Sequence, residues 1–163
     1  SSLSSHKQRS VLITVESEKT IEKKVKTDEL ISTELFSNLK IGETLAIPNL
    51  QFRPGSHYPL TSSIPVLNEL VELLTTYPSV SVEIQGHICC KAPNTGDGLN
   101  DETGLHNLSE ARAQYVNAYL VSKGVAEERL SFKGFSSNRP LYPENSEANK
   151  QANRRVEIMV VSK

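Results

Sequence analysis

Apolar residues are sparse and irregular over the first third of this 163-residue chain and fall into clear periods after it. Residues 11–15, Val-Leu-Ile-Thr-Val, form a short β-rich run, and residues 19–31 mix Lys and Glu with isolated apolar positions that fit a strand or a weak helix equally. Leu35-Phe36 and Leu39 to Thr44 follow, with a turn at Gly42. This stretch lacks the apolar residues for a core of its own. Residues 1–44 therefore read as an extended lead-in, such as the last strands of an upstream domain, and residues 45–163 as the folded domain.

From Leu45 the periods sharpen. Leu45 to Phe52 reads as a strand that begins after Pro48, because proline cannot donate to a ladder. Pro54-Gly55 is a turn. Ser62 or Ser63 offers an N-cap, and Ile64, Leu67, Leu70, Val71 and Leu74 then repeat at helical spacing until Tyr77-Pro78. Val80, Val82 and Ile84 alternate with polar residues as a strand with one buried face, ended by Gly86. Residues 87–107 form a long polar loop. Ser109 opens a second helix with the inner stripe Ala113, Val116 and Leu120, closed by Gly124 at the C′ position. Leu130 and Phe132 mark another strand, a short helix fits between Pro143 and Asn153, and Val156 to Val161 is the last strand. The order β-α-β-α-β-(α)-β predicts an α/β (α+β) two-layer sandwich, with right-handed crossovers and a mixed sheet covered by helices on one face.

Composition narrows the function. The net charge is -1 and aromatics make up 6%, so no basic stripe interleaved with aromatics exists to bind nucleic acid. No apolar run is long enough to span a bilayer, and the Ser-rich residues 1–10 read as a disordered end. A missing signal segment does not exclude export. The two cysteines, Cys89 and Cys90, are adjacent and cannot staple distant parts of the fold. Their Cα atoms lie ~3.8 Å apart across a trans peptide, closer than the usual disulfide range of ~4.4–6.8 Å. Reduced, packed thiols are the default reading. A vicinal disulfide, favoured in an oxidising compartment, and a metal site are the alternatives. Without a second cysteine pair the thiols make a poor structural zinc site, so no metal or cofactor is expected.

Three segments resemble one family in order and spacing. Val82-Glu83-Ile84-Gln85-Gly86-His87 is similar to the strand leading into the Gly-His-Thr-Asp signature of OmpA-like domains. Asn107-Leu108-Ser109-Glu110-Ala111-Arg112-Ala113 resembles their Asn-x-x-Leu-Ser-x-x-Arg-Ala helix start, with a shortened lead. Asn153-Arg154-Arg155-Val156-Glu157 matches their Asn-Arg-Arg-Val-Glu ending. Each motif alone is weak, but three in register with matching elements between them are specific. The family includes the periplasmic domains of OmpA, of peptidoglycan-associated lipoprotein and of flagellar stators. Leu39-Lys40-Ile41-Gly42-Glu43 also looks like members from Bacteroidetes-type bacteria. The resemblance implies a non-catalytic, periplasmic module associated with the outer membrane. It would anchor a membrane-associated parent protein by binding the peptidoglycan stem peptide at its diaminopimelate.

Arg112 is the leading ligand residue. A cation in the first turn of a helix opposes the helix dipole, which costs a few tenths of a kcal/mol. The placement becomes favourable when a ligand carboxylate bridges the guanidinium and the free amides of that turn, the use to which the family puts it. The competing reading is a salt bridge to a nearby acid. Asn107 either donates to the ligand or holds the turn. Arg154 and Arg155 alternate across a strand entry, and the resemblance favours Arg154 for the cleft. His87 reads as a structural histidine. The family aspartate that receives the diaminopimelate ammonium is replaced by Cys89, a loss of about 1.5–3 kcal/mol for one charge-assisted bond. Asp97, Asp101 or Glu102 from the 91–106 loop is the available substitute, with Asp97 first. Failing that, the module has kept the fold and lost or altered wall binding. The oxygen-rich loop lacks EF-hand spacing and reads as solvated rather than calcium-binding. No Gly-x-Ser-x-Gly, P-loop or His-Glu-x-x-His motif is present, and His87 near Cys89 has no orienting third group, so an enzyme is not expected.

Overall fold

A computed structural model describes residues 31–163. The β-rich run at 11–15 and most of the ambiguous 19–31 segment lie outside those residues. Within the segment read as extended lead-in, Thr33–Asn38 (α1) are helical, with the Ser32 hydroxyl accepting from the Leu35 amide as N-cap. Ile31 and Phe36 are buried in the same core as the rest of the chain. They supply the apolar contacts that this stretch could not make by itself.

The remaining elements are β1 (Thr44–Ala46), α2 (Ile64–Thr76), β2 (Ser81–His87), α3 (Leu108–Ser122), β3 (Leu130–Gly134), α4 (Glu147–Asn153) and β4 (Arg155–Ser162). This is the expected order, and the sheet is mixed. Its strand order is β1-β4-β2-β3, with β2 and β3 parallel and β4 antiparallel to both neighbours. One face carries Val82, Ile84, Val156, Ile158 and Val160, all at most 1% exposed, packed with Leu67, Leu70 and Leu74 of α2 and Ala113, Val116 and Leu120 of α3. The close approach of α3 to the sheet depends on two glycines. A Cβ on Gly86 would overlap the Ser109 carbonyl oxygen, and one on Gly134 would crowd the Glu110 backbone and the Ser109 hydroxyl.

Two boundaries differ from expectation. β1 precedes Pro48 instead of following it. The Ile47 amide still donates to Val156, after which the chain turns through Asn49 at φ 57° and drops Leu50 into the core. Ser63 does not cap α2 either. Its hydroxyl accepts from the Gln51 amide and helps hold the 49–51 turn, while a 3-10 turn over Thr61–Ser63 leads into the helix. The other end of α2 is fastened by Arg129, which donates to the carbonyls of Leu74, Tyr77 and Val80 at 2.8–2.9 Å.

Candidate functional site

The start of α3 organises the site. Ser109, expected as N-cap, is the second helical residue. Asn107 holds the N-cap position but makes no side-chain cap bond. The capping acceptor comes from the long loop. The Asp97 carboxylate accepts from the Ser109 amide at 3.0 Å, the Ser109 hydroxyl at 2.6 Å and the Glu110 amide at 3.2 Å. An anion therefore already sits on the free amides at the positive end of the helix. The loop reaches that point because its other polar groups are anchored. Ser136 donates its hydroxyl to Gly96, Asn138 accepts from the Asn94 amide, and Lys91 Nζ donates to the Asp97 carbonyl. The remaining loop acids serve elsewhere. Glu102 accepts from the Ser56 hydroxyl at 2.7 Å, and the Asp101 backbone pairs with Gly55.

Arg112 falls in the second turn, not the first, and is only 8% exposed. Its Nε donates to the Ser56 carbonyl at 2.9 Å and an Nη2 hydrogen to the Arg53 carbonyl at 3.2 Å. The guanidinium carbon stands 5.0 Å from the centre of the Phe52 ring. Burial, and secondarily Arg154, lower its pKa to about 10, against an opposing pull from Asp97, so it remains a cation at neutral pH. No carboxylate among the described residues lies within ion-pair distance of it, which removes the salt-bridge reading. A guanidinium has five N–H donors. Two are used on the 53–56 turn, and the side chain borders a cleft of about 550 Å³.

That cleft brings Arg112, Arg154 and Cys89 together, walled by Phe52, Pro54 and Gly55 on one side and by Gly98, Leu99 and Leu108 on the other. Lys91 of the long loop and Gln151 of α4 also line it, and neither stood out in the sequence, because nothing in a lone Lys or Gln marks it for a cleft. Asp97, next to Gly98 in the chain, does not itself line the cleft. Asn107 is not in this cleft. It borders a separate hollow of about 280 Å³ with His57, Asn100 and Tyr115, and its buried Oδ1 has no hydrogen-bond partner among the described residues.

The Asn-Arg-Arg-Val-Glu segment divides its work by residue. Asn153, fully buried, accepts from the Leu141 and Tyr142 amides and donates to the Tyr142 carbonyl, which holds the 141–142 loop. Arg154 turns into the cleft, with Nε 3.1 Å from Cys89 Sγ and Nη1 3.0 Å from Glu147. Arg155 turns to the opposite face and pairs with Glu157 at 2.6 Å. His87, 2% exposed, stacks on Phe135 at 5.3 Å and stands 3.6 Å from Glu157, yet neither ring nitrogen has a hydrogen-bond partner among the described residues. Burial first, then Arg155, lower its pKa to about 4, partly offset by Glu157.

The cysteines are joined as a vicinal disulfide, with Cα atoms 3.7 Å apart, rather than reduced and packed. Cys90 takes a left-handed backbone at φ 74°, which turns adjacent side chains toward each other. Its amide donates to Glu144 at 2.9 Å. No helix among the described residues is long and apolar enough to cross a membrane.

Comparison with known proteins places these features in context. The OmpA family profile matches residues 51–154. Outer membrane porin F of Pseudomonas fluorescens is 32% identical over 94 residues, covering 58% of this chain and 26% of that protein. Peptidoglycan-binding protein ArfA of Mycobacterium tuberculosis is 34% identical over 96 residues, covering 58% of this chain and 27% of that protein. The chain thus spans about a quarter of the length of these relatives, and only 11% of another. Among solved structures, a putative MotB-like protein of Desulfovibrio vulgaris superposes with a TM-score of 0.62 at 26% identity, covering 74% of this chain and 73% of that one.

Proposed function

The chain belongs to the OmpA family, and from that premise we propose that it is a non-catalytic cell-envelope module that anchors its parent protein to peptidoglycan. The observation that carries this reading is Arg112. A buried guanidinium without a carboxylate partner, held rigid by two backbone carbonyls, borders an open cleft with donors to spare. A fixed cation in a partly desolvated wall suits the carboxylate of a peptide, through charge-assisted bonds. We assign Arg112 to a carboxylate of the stem peptide, at its diaminopimelate, and Arg154 to a second anionic or carbonyl group across the cleft. Asp97 supplies the negative charge that the Gly-His strand end lacks at Cys89. Its charge favours the cationic form of Arg112. Asn107, which borders the separate hollow, is given no ligand contact in this reading. Its likeness to a peptidoglycan-binding protein, ArfA, and to an outer membrane porin supports an envelope location. We place the module in the periplasm, next to the outer membrane.

One observation favours a second reading, a structural module that has lost wall binding. The Asp97 carboxylate is already engaged by Gly98, Ser109 and Glu110, leaving little capacity for a ligand ammonium. Co-sedimentation with purified peptidoglycan separates the two. Wild type pellets with the wall, while Arg112→Ala and Arg112→Lys, checked for folding by circular dichroism, stay in the supernatant. Wild type that does not pellet sinks the proposal and leaves the second reading.

A further inference from the structure

We propose that Cys89, Cys90 and Glu144 form a redox-conditional site for one thiophilic divalent cation, closed while the disulfide is intact and opened by its reduction. The two Sγ atoms and a Glu144 carboxylate oxygen all lie within 4.8 Å of one another, the one such grouping of His, Cys, Asp and Glu donors among the described residues. Three protein donors with a fourth position left to water is an ordinary arrangement for an open tetrahedral zinc site. Glu144 is the ligand that the adjacent cysteines lacked when considered alone. It is already held beside the sulfurs by accepting the Cys90 amide at 2.9 Å through one oxygen.

The backbone suits chelation without rearrangement. Zn–S bonds of ~2.3 Å at a tetrahedral angle space two sulfurs ~3.8 Å apart. Side chains on Cα atoms 3.7 Å apart, turned to one side by the left-handed Cys90, reach that spacing by side-chain rotation. Charge is accommodated as well. Two thiolates and a carboxylate gather three negative charges. The ion offsets two of them, and the Arg154 guanidinium, 3.1 Å from Cys89 Sγ and 4.0 Å from Cys90 Sγ, stands beside the third.

The chemistry balances. A small dithiol reductant delivers two electrons and two protons, the S–S bond breaks, both Sγ atoms become thiols, and the reductant leaves as its own disulfide. The ion then binds as both thiol protons pass to solvent. Because Cys89 lines the cleft that holds Arg112 and Arg154, loading would place a dication at the cleft wall only under reducing conditions.

The test uses the full chain in two redox states, with Zn²⁺ alone as the probe. One portion is reduced with dithiothreitol and desalted without oxygen, and the other is left oxidised. Isothermal titration is expected to show one tight equivalent of Zn²⁺ in the reduced protein and its loss in the oxidised one. Reduced Cys90→Ser is expected to lose it as well, and reduced Glu144→Gln to bind at least about tenfold more weakly. Equal Zn²⁺ binding in both redox states, or none in the reduced protein, overturns the proposal. Unchanged affinity in Glu144→Gln overturns the three-ligand site. No arm involves peptidoglycan, so the outcome is independent of the anchoring function.

Discussion

Replacing Asp97 by Asn tests whether a loop carboxylate really caps α3. The substitution keeps the shape and one acceptor oxygen but removes the charge, and it turns an amide group toward donors now satisfied by Oδ2. Oδ2 takes the Ser109 hydroxyl at 2.6 Å and the Glu110 amide at 3.2 Å, so both lose their acceptor. Loss of a capping acceptor costs about 0.5–2 kcal/mol, and loss of the anion at the helix N-terminus a further 0.3–1 kcal/mol or so. The expected destabilisation is therefore about 2 kcal/mol, a fall in Tm of roughly 4–8 °C for a chain of this size. Urea unfolding followed by circular dichroism measures it. Glu110→Gln is the internal control. It removes a charge from the same helix turn, but from an exposed side chain that takes no capping bond, and should cost only a few tenths of a kcal/mol. If Asp97→Asn unfolded within about 0.5 kcal/mol of wild type, or no lower than Glu110→Gln, the capping argument would fail.

Two further outcomes follow from the packing around β2. Gly86→Ala should destabilise by about 2 kcal/mol or more, because the new methyl overlaps the Ser109 carbonyl and can be accommodated only by moving α3 off the sheet; an unchanged urea midpoint would mean that the helix does not sit this close. His87 should make stability depend on pH. Its folded pKa of about 4 lies below the unfolded value of 6.5, so the unfolded chain binds the extra proton between those values. Stability is then fully present above 6.5 and falls as the pH drops toward 4, by up to about 3 kcal/mol. The Arg155, Glu157 and Arg139 charges act on the same ring. The slope should flatten in His87→Gln, and an identical pH profile in that variant would assign the dependence to other groups.

Much of the domain follows from local sequence. The alternation of Val82 and Ile84, the stripe Ala113, Val116 and Leu120, and the Gly124 stop correspond to β2 and α3, because a two-residue or 3.6-residue period survives any packing that buries one face. The alternation of Arg154 and Arg155 likewise places one in the cleft and one beside Glu157. What the sequence left open depends on contacts between segments far apart in the chain. Asp97 accepts from an α3 amide twelve positions further along the chain, and Asn107 faces a different hollow from Arg112 although it lies only five positions away. The pairing of Cys89 with Cys90 rested on a left-handed residue that no composition rule requires. Sequence alone thus determined most elements, their order and the choice of Arg112 as the candidate cation, because those rest on periodicity and on residue chemistry. Only the tertiary structure decided which acid caps α3 and which residues share the cleft with Arg112, because loop closure brings together groups whose spacing along the chain carries no period.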